Sequence, residues 1–112
     1  MENKILSSLG LCAKAGKLIR GVPMICEALR KSGGSKVYLV LEACDTSDNT
    51  HKKLNDKCNF YKTEKIRLVE DGEALALAVG KSGSIGAVAI TDVGLSEMVK
   101  RYFEAESTVG KE

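Results

Sequence analysis

Three kinds of residue in this 112-residue chain invite a chemical reading: a Gly-Lys-Ser run, one histidine and four cysteines. Gly80-Lys81-Ser82 matches the end of a phosphate-cradling loop, in which backbone N–H groups and a lysine hold a nucleotide. The full pattern needs another glycine five residues before Gly80, and Leu75 stands there. The run also follows a helical pattern and precedes a strand pattern, the reverse of what a nucleotide loop requires. His51 is the only histidine and lies on the polar side of a helix carrying Lys52, Lys53 and Lys57, so it reads as a surface residue rather than a general base. No Ser or Cys has a nearby signature for nucleophile activation. Glu70, Asp71 and Glu73 read as the acidic start of a helix, complementing its dipole. No enzymatic activity is expected.

Cys12, Cys26, Cys44 and Cys58 are spaced 14, 18 and 14 residues apart, with no C-x-x-C pair. Zinc sites usually draw ligands from close pairs, so neither a metal nor any other cofactor is expected. Cys12 and Cys26 fall on apolar helix faces, where a reduced cysteine behaves as a small hydrophobe. The first residues contain no long apolar stretch, and no window reaches transmembrane length. The expectation is a cytoplasmic protein with free thiols and no membrane partner.

What remains is binding chemistry. Net charge is only +2, yet residues 1–36 carry seven Lys/Arg against two Asp/Glu, while residues 66–112 carry five against eight. A basic first third suits phosphate, although an ordinary solvated surface is the commoner explanation on charge alone. Two junctions are of interest. At Arg20-Gly21 a strand hands over to a helix, whose N-terminal N–H groups and positive dipole end favour an anion. The loop Gly80-Lys81-Ser82-Gly83-Ser84 has Lys81 at its tip and Ile85 beyond it.

The elements that would position these residues follow from hydrophobic period. Ile5, Leu6, Leu9, Cys12 and Ala13 share one face of a helix over 3–15, which Gly16 stops. A short strand covers 17–20. Pro23 suits the first position of a second helix, running to about Lys31 with Val22, Ile25, Cys26 and Leu29 inward. Residues 36–42, Lys-Val-Tyr-Leu-Val-Leu-Glu, are nearly continuous in apolar character, the mark of a strand buried on both faces. A third helix covers about 47–59 behind the capping run 45–48, and a weaker strand covers 65–69. Asp71 caps a fourth helix, with Leu75, Ala78 and Val79 inward. Residues 86–91 form another buried strand, and Asp92 caps a last helix carrying Leu95, Met98, Val99, Tyr102 and Phe103. The polar tail after Glu104 is expected to fray. The order αβαβαβαβα predicts an α/β protein: one domain over 1–112, core about 3–104, built as a three-layer α/β/α sandwich. Its central mixed sheet has about four strands.

The run Leu9-Gly10-Leu11-Cys12-Ala13-Lys14-Ala15-Gly16-Lys17, then Gly21, then Lys36-Val37-Tyr38-Leu39-Val40, resembles the YlxQ-like branch of the ribosomal L-seven-Ae / L-thirty-e family. So do Asp56-Lys57-Cys58-Asn59-Phe60-Tyr61-Lys62 and the stretch from Leu75 through Gly80-Lys81 to the strand at 86–90. The resemblance spans about residues 3–104 and implies an α/β/α sandwich that binds kink-turn RNA in ribosomal or other ribonucleoprotein settings. It also implies a binding surface made by the start of the second helix, the loop after the second strand and the loop before the last strand. Carried onto this chain, that surface comprises Gly21, Pro23, Met24, Glu27, Glu42, Gly80, Lys81 and Ile85. Lys14, Lys17, Arg20 and Lys36 add electrostatic contacts with phosphate.

The family typically has Gly-x-Asn-Glu-x-x-Lys at the helix start. Here Gly21 is kept, but the Asn, Glu and Lys positions hold Pro23, Met24 and Glu27. Pro23 and Met24 have no side-chain donor for a base edge, and Glu27 brings negative charge toward phosphate. Two functional expectations follow. One is an RNA-binding module of weakened or altered specificity; the other is a protein-interaction module that has lost RNA binding.

Overall fold

A computed structural model describes residues 4–110. Its elements alternate as α1 (Lys4–Lys14), β1 (Leu18–Arg20), α2 (Val22–Ser32), β2 (Leu39–Glu42), α3 (Asp48–Phe60), β3 (Lys65–Arg67), α4 (Gly72–Ala78), β4 (Ala87–Ile90) and α5 (Val93–Gly110). The four strands form one mixed sheet in the order β1-β4-β2-β3. β4 runs antiparallel to both β1 and β2, and β3 runs parallel to β2.

The two central strands explain the two layers of helices. Side chains alternate across a strand, so Leu39 and Leu41 of β2 and Val88 and Ile90 of β4 point to one face. There they join Ile5, Leu9, Cys12, Leu75, Val79 and Val99 from α1, α4, its cap and α5. Val40, Ala87 and Ala89 point to the other face and meet Ile25 and Leu29 of α2 and Leu54 and Cys58 of α3. All residues of β2 and β4 are buried, whereas β1 and β3 at the edges are only partly covered. The α/β/α sandwich expected from the apolar runs is therefore the observed architecture.

The caps legible in sequence close the starts of α3, α4 and α5. Ser47 Oγ accepts from Thr50 N at 3.2 Å, Asp71 Oδ1 from Ala74 N at 2.9 Å and Asp92 Oδ2 from Leu95 N at 2.9 Å. Several boundaries differ from expectation. β2 begins at Leu39 rather than Lys36, and β3 ends at Arg67. Pro23 is the second residue of α2, after Val22, where its missing N–H is equally harmless. In α4 the buried residues are Gly72, Leu75 and Ala76, with Val79 at its end, while Ala78 is half-covered. α5 continues to Gly110. Among the described residues, no helix is long and apolar enough to cross a membrane.

Candidate functional site

The sheet register brings three chain segments to one end. Arg20 is opposite Val88 and Glu42 is opposite Ala87, so β1 and β2 finish where β4 begins. Leaving that end are the start of α2, the turn into α3 and the loop that feeds β4. Gly21 N donates to Ala87 O at 2.9 Å and Ala43 N to Gly86 O at 2.8 Å, locking the first and second segments to the third. Between them lies an open groove of about 570 Å³. Gly21, Val22 and Pro23 form one wall, Asp45, Thr46, Thr50 and Lys53 a second, and Ser84, Ile85 and Gly86 the third.

Gly21 stands where only glycine is comfortable, at φ 98° and ψ 142°. It is the N-cap of α2 and offers no capping side chain, so the helix start faces the groove with backbone alone. Across the groove, Asp45 Oδ1 accepts from Gly72 N at 2.9 Å, and Gly72 O accepts from Ile85 N at 3.0 Å. Gly72 is packed so closely against Ser84 Oγ and Ile85 O that a Cβ there would collide with both. The third wall is thus held through the start of α4.

The residues expected at this site separate into distinct groups. Gly21, Pro23 and Ile85 line the groove, and Met24 follows on the first turn of α2 with 56% of its surface exposed. Glu27, one turn further, pairs with Lys31 at 3.0 Å, and that partner lowers its carboxyl below the usual range. Gly80 and Lys81 open the loop that leads to β4. Lys81 N donates to Ala76 O at 2.9 Å, which ends α4, and its side chain is exposed outside the groove lining. Arg20 is turned to structural use: its Nε donates to Val79 O at 3.1 Å and ties β1 to the end of α4.

Three of the expected residues lie away from the groove. Glu42 is the last residue of β2 rather than part of a loop, and it is fully buried, so its carboxylate offers nothing to a ligand at the surface. Lys17 and Lys36 lie at the opposite end of the sheet. Thr91 N donates to Lys17 O and Tyr38 N to Ile90 O, which puts both lysines where β4 ends. Lys14 stands in neither group, on the last turn of α1 against α4.

Glu42 is at the centre of a polar cluster beneath the groove. Lys65 Nζ and Thr46 Oγ1 both donate to its carboxylate, and His51 Nδ1 lies 2.9 Å from both oxygens. Asn55 Nδ2 is 3.1 Å from His51 Nε2. These partners assign a proton to Nδ1 and leave Nε2 as acceptor. Burial by itself pushes the Glu42 carboxyl up, but the hydrogen bonds from Lys65, Thr46 and His51 and the lysine charge outweigh it and hold it below the usual range. His51 is therefore not the detached surface residue its lysine neighbours suggested. The cluster fixes the turn from β2 into α3, because Thr46 belongs to the groove wall and to the cluster at once. Among the described residues, no three His, Cys, Asp or Glu side chains are grouped to hold a metal ion.

Sequence reasoning missed Thr46, Thr50, Lys53 and Ser84 as groove residues. Thr50 and Lys53 are three apart on one helix and so share a face, a signal present in the sequence. Ser84 had no such signal, since nothing local says which way a glycine-rich loop folds back.

Comparisons with known proteins agree with this fold. The model of the ribosomal protein L7Ae/L30e/S12e/Gadd45 family matches residues 3–100. The chain is similar to the RNA-binding protein YlxQ of Bacillus subtilis, at 36% identity over 79% of this chain and 83% of that one. It is similar to the RNA-binding protein YlxQ of Enterococcus faecium at 31% identity, over 92% and 94%. A solved structure of a protein of unknown function from Bacillus halodurans superposes with TM-score 0.82 at 30% identity, covering 92% of this chain and 99% of that one. The 15.5 kD RNA-binding protein of Giardia lamblia shares the fold, with TM-score 0.71 at 17% identity over 91% and 87%.

Proposed function

Because the chain belongs to the ribosomal protein L7Ae/L30e/S12e/Gadd45 family, we propose that it binds structured RNA of the kink-turn type in the groove at the Gly21 end of the sheet. The observation that carries this reading is the meeting of three segments there, with the bare N-terminus of α2 as one wall. Helix N-terminal N–H groups suit a phosphate, Thr46, Thr50 and Ser84 supply hydroxyls, and Lys53 supplies a cation. The two relatives named as RNA-binding proteins support the same class of ligand. A ribosomal or other cytoplasmic RNA is the partner this reading implies.

Specificity in this groove is altered relative to the motif the family typically carries. Pro23 and Met24 have no hydrogen-bonding side-chain group, and Glu27 is acidic where a lysine would meet the RNA backbone. Each lost base contact costs about 1–3 kcal/mol by analogy with direct readout of DNA, so two cost roughly thirtyfold to twenty-thousandfold in affinity. A standard kink-turn RNA should bind weakly and with steep salt dependence. The variant Pro23→Asn/Met24→Glu/Glu27→Lys should bind it more tightly and lose less on addition of salt, read by gel shift. Tight, salt-resistant binding by the unmodified chain would refute the altered-specificity reading; no gain in the triple variant would refute the assignment of this groove.

One observation favours a second reading. Met24 is exposed beside Pro23 and Val22, an apolar lip that suits a protein partner more than a phosphate. Absence of binding to any RNA, by filter retention at low salt, would leave the protein-interaction module as the better account.

A further inference from the structure

The opposite end of the sheet carries a second groove, of about 530 Å³. Its floor is apolar, made by Ile19 of β1, Ala28 of α2 and Val37, and Tyr38 lines it with 41% of its surface exposed. Lys31 and Lys36 stand on its rim, and Lys17 is joined to it through the hydrogen bond from Thr91 N to Lys17 O. The acidic neighbour is Glu27, which pairs with Lys31 at 3.0 Å on the exposed face of α2.

We propose that this groove is a second RNA-contact surface, which takes a single-stranded segment with a base stacked on Tyr38 and its phosphates on Lys17, Lys31 and Lys36. The inference rests on the RNA-binding reading but concerns a different surface. An exposed aromatic ring bordered by cations is the arrangement that holds single strands without base-edge readout, because every base has a stacking face. Charge complementarity selects a polyanion: Glu27 offsets Lys31, and Lys17 and Lys36 add two exposed charges. The edge strand beside the groove argues against an extended peptide. β1 has only three residues, too short a template for strand pairing, and it ends in Arg20. The two grooves lie at opposite ends of the same strands, so one RNA with a folded element and a single-stranded flank would have both parts engaged.

Fluorescence anisotropy with two probes tests this: a short labelled single-stranded RNA and a labelled kink-turn duplex without overhangs. Tyr38→Leu should weaken single-strand binding by roughly fivefold to a hundredfold, and Tyr38→Phe should retain it. Lys17→Gln/Lys36→Gln should reduce the slope of log affinity against log salt by about 1.4 for the single strand. Both lysines are exposed, so this variant should fold even where Tyr38→Leu does not. Lys53→Gln should weaken the duplex probe and leave the single strand unchanged. Wild-type single-strand affinity in the Tyr38→Leu and double-lysine variants would overturn the inference. So would binding of the duplex but not the single strand by wild type, an outcome that leaves the proposed function standing. Failure to bind either probe would overturn both. Tighter binding of polyglutamate than of RNA, lost in the same variants, would overturn it in favour of a peptide groove.

Discussion

The two ends of the sheet use their polar residues in opposite ways. At the Gly21 end they are engaged in building the protein. Arg20 holds Val79 O, Arg67 Nη2 donates to Cys44 O at 3.0 Å, Asp45 holds Gly72 N, and Glu42 gathers Lys65, His51 and Thr46. At the Tyr38 end the polar groups are lysines reaching into solvent around an exposed ring. Counting charges along the chain misses this difference. A basic residue whose donors already serve carbonyls presents shape to a ligand, while a solvated lysine presents charge. Salt should therefore weaken binding at both ends, but only the first should add discrimination by fit.

The comparison is broken most severely by removing its buried centre. Glu42→Leu leaves Lys65, whose side chain is only 10% exposed, without its counter-charge. Breaking one side of a buried pair costs about 3–5 kcal/mol, so urea unfolding should show a loss of that size. The double variant Glu42→Leu/Lys65→Met should recover much of it. If Glu42→Leu costs no more than an exposed substitution, the cluster does not hold the first end together.

Gly21→Ala tests the groove itself. A Cβ at Gly21 would meet no atom within 4 Å, so the whole cost is conformational. At φ 98° that cost is about 1–3 kcal/mol, measurable as a fall in stability or as a shift of the start of α2. Kink-turn affinity should fall, and single-strand binding at the Tyr38 end should not. Equal loss on both RNAs would mean that the two ends are not independent.

Acid should loosen the first end before the second. The folded-state carboxyl of Glu42 titrates below its unfolded value of about 4.3. The stabilisation it contributes is complete above that unfolded value and is lost as pH falls through the folded one. Amide exchange should show residues 42–51 opening in this window ahead of residues 28–32 at the end of α2, and Glu42→Gln should abolish that pH dependence. Uniform opening would place the acid-sensitive group elsewhere.

The mildest perturbation is chemical labelling. Cys44 is exposed in the turn after β2, whereas Cys12 and Cys58 are buried, and burial raises both thiols, that of Cys58 to about 11. A bulky maleimide should therefore reach Cys44 before Cys12 or Cys58. Modification at Cys44 should leave stability unchanged, obstruct the duplex probe and spare the single strand. Faster modification of Cys58 would show that α3 does not cover it.

Much of this architecture is local in origin and was legible before any coordinates. The apolar runs at 37–41 and 86–90, the helical periods, Gly16 as a stop, and the caps at Ser47, Asp71 and Asp92 are set by neighbours in the chain. They suffice to specify alternating helices and strands, because backbone preference and one-sided burial act over a turn or two. Strand order, register and the partners of Glu42 were settled only in the folded molecule. Glu42 follows the buried run Leu39-Val40-Leu41, and nothing adjacent to it indicates that Lys65 and His51 will meet its carboxylate. The same holds for Lys17 and Lys36. In sequence they extend the basic stretch that includes Arg20, but β1 and β2 carry the chain from one end of the sheet to the other. Three strand residues are enough to separate Lys17 from Gly21 by the length of a strand. Sequence alone determined which segments fold and where they stop, because those forces are short-ranged. Which charges share a surface is decided by pairing between distant strands, and only the tertiary structure fixes that.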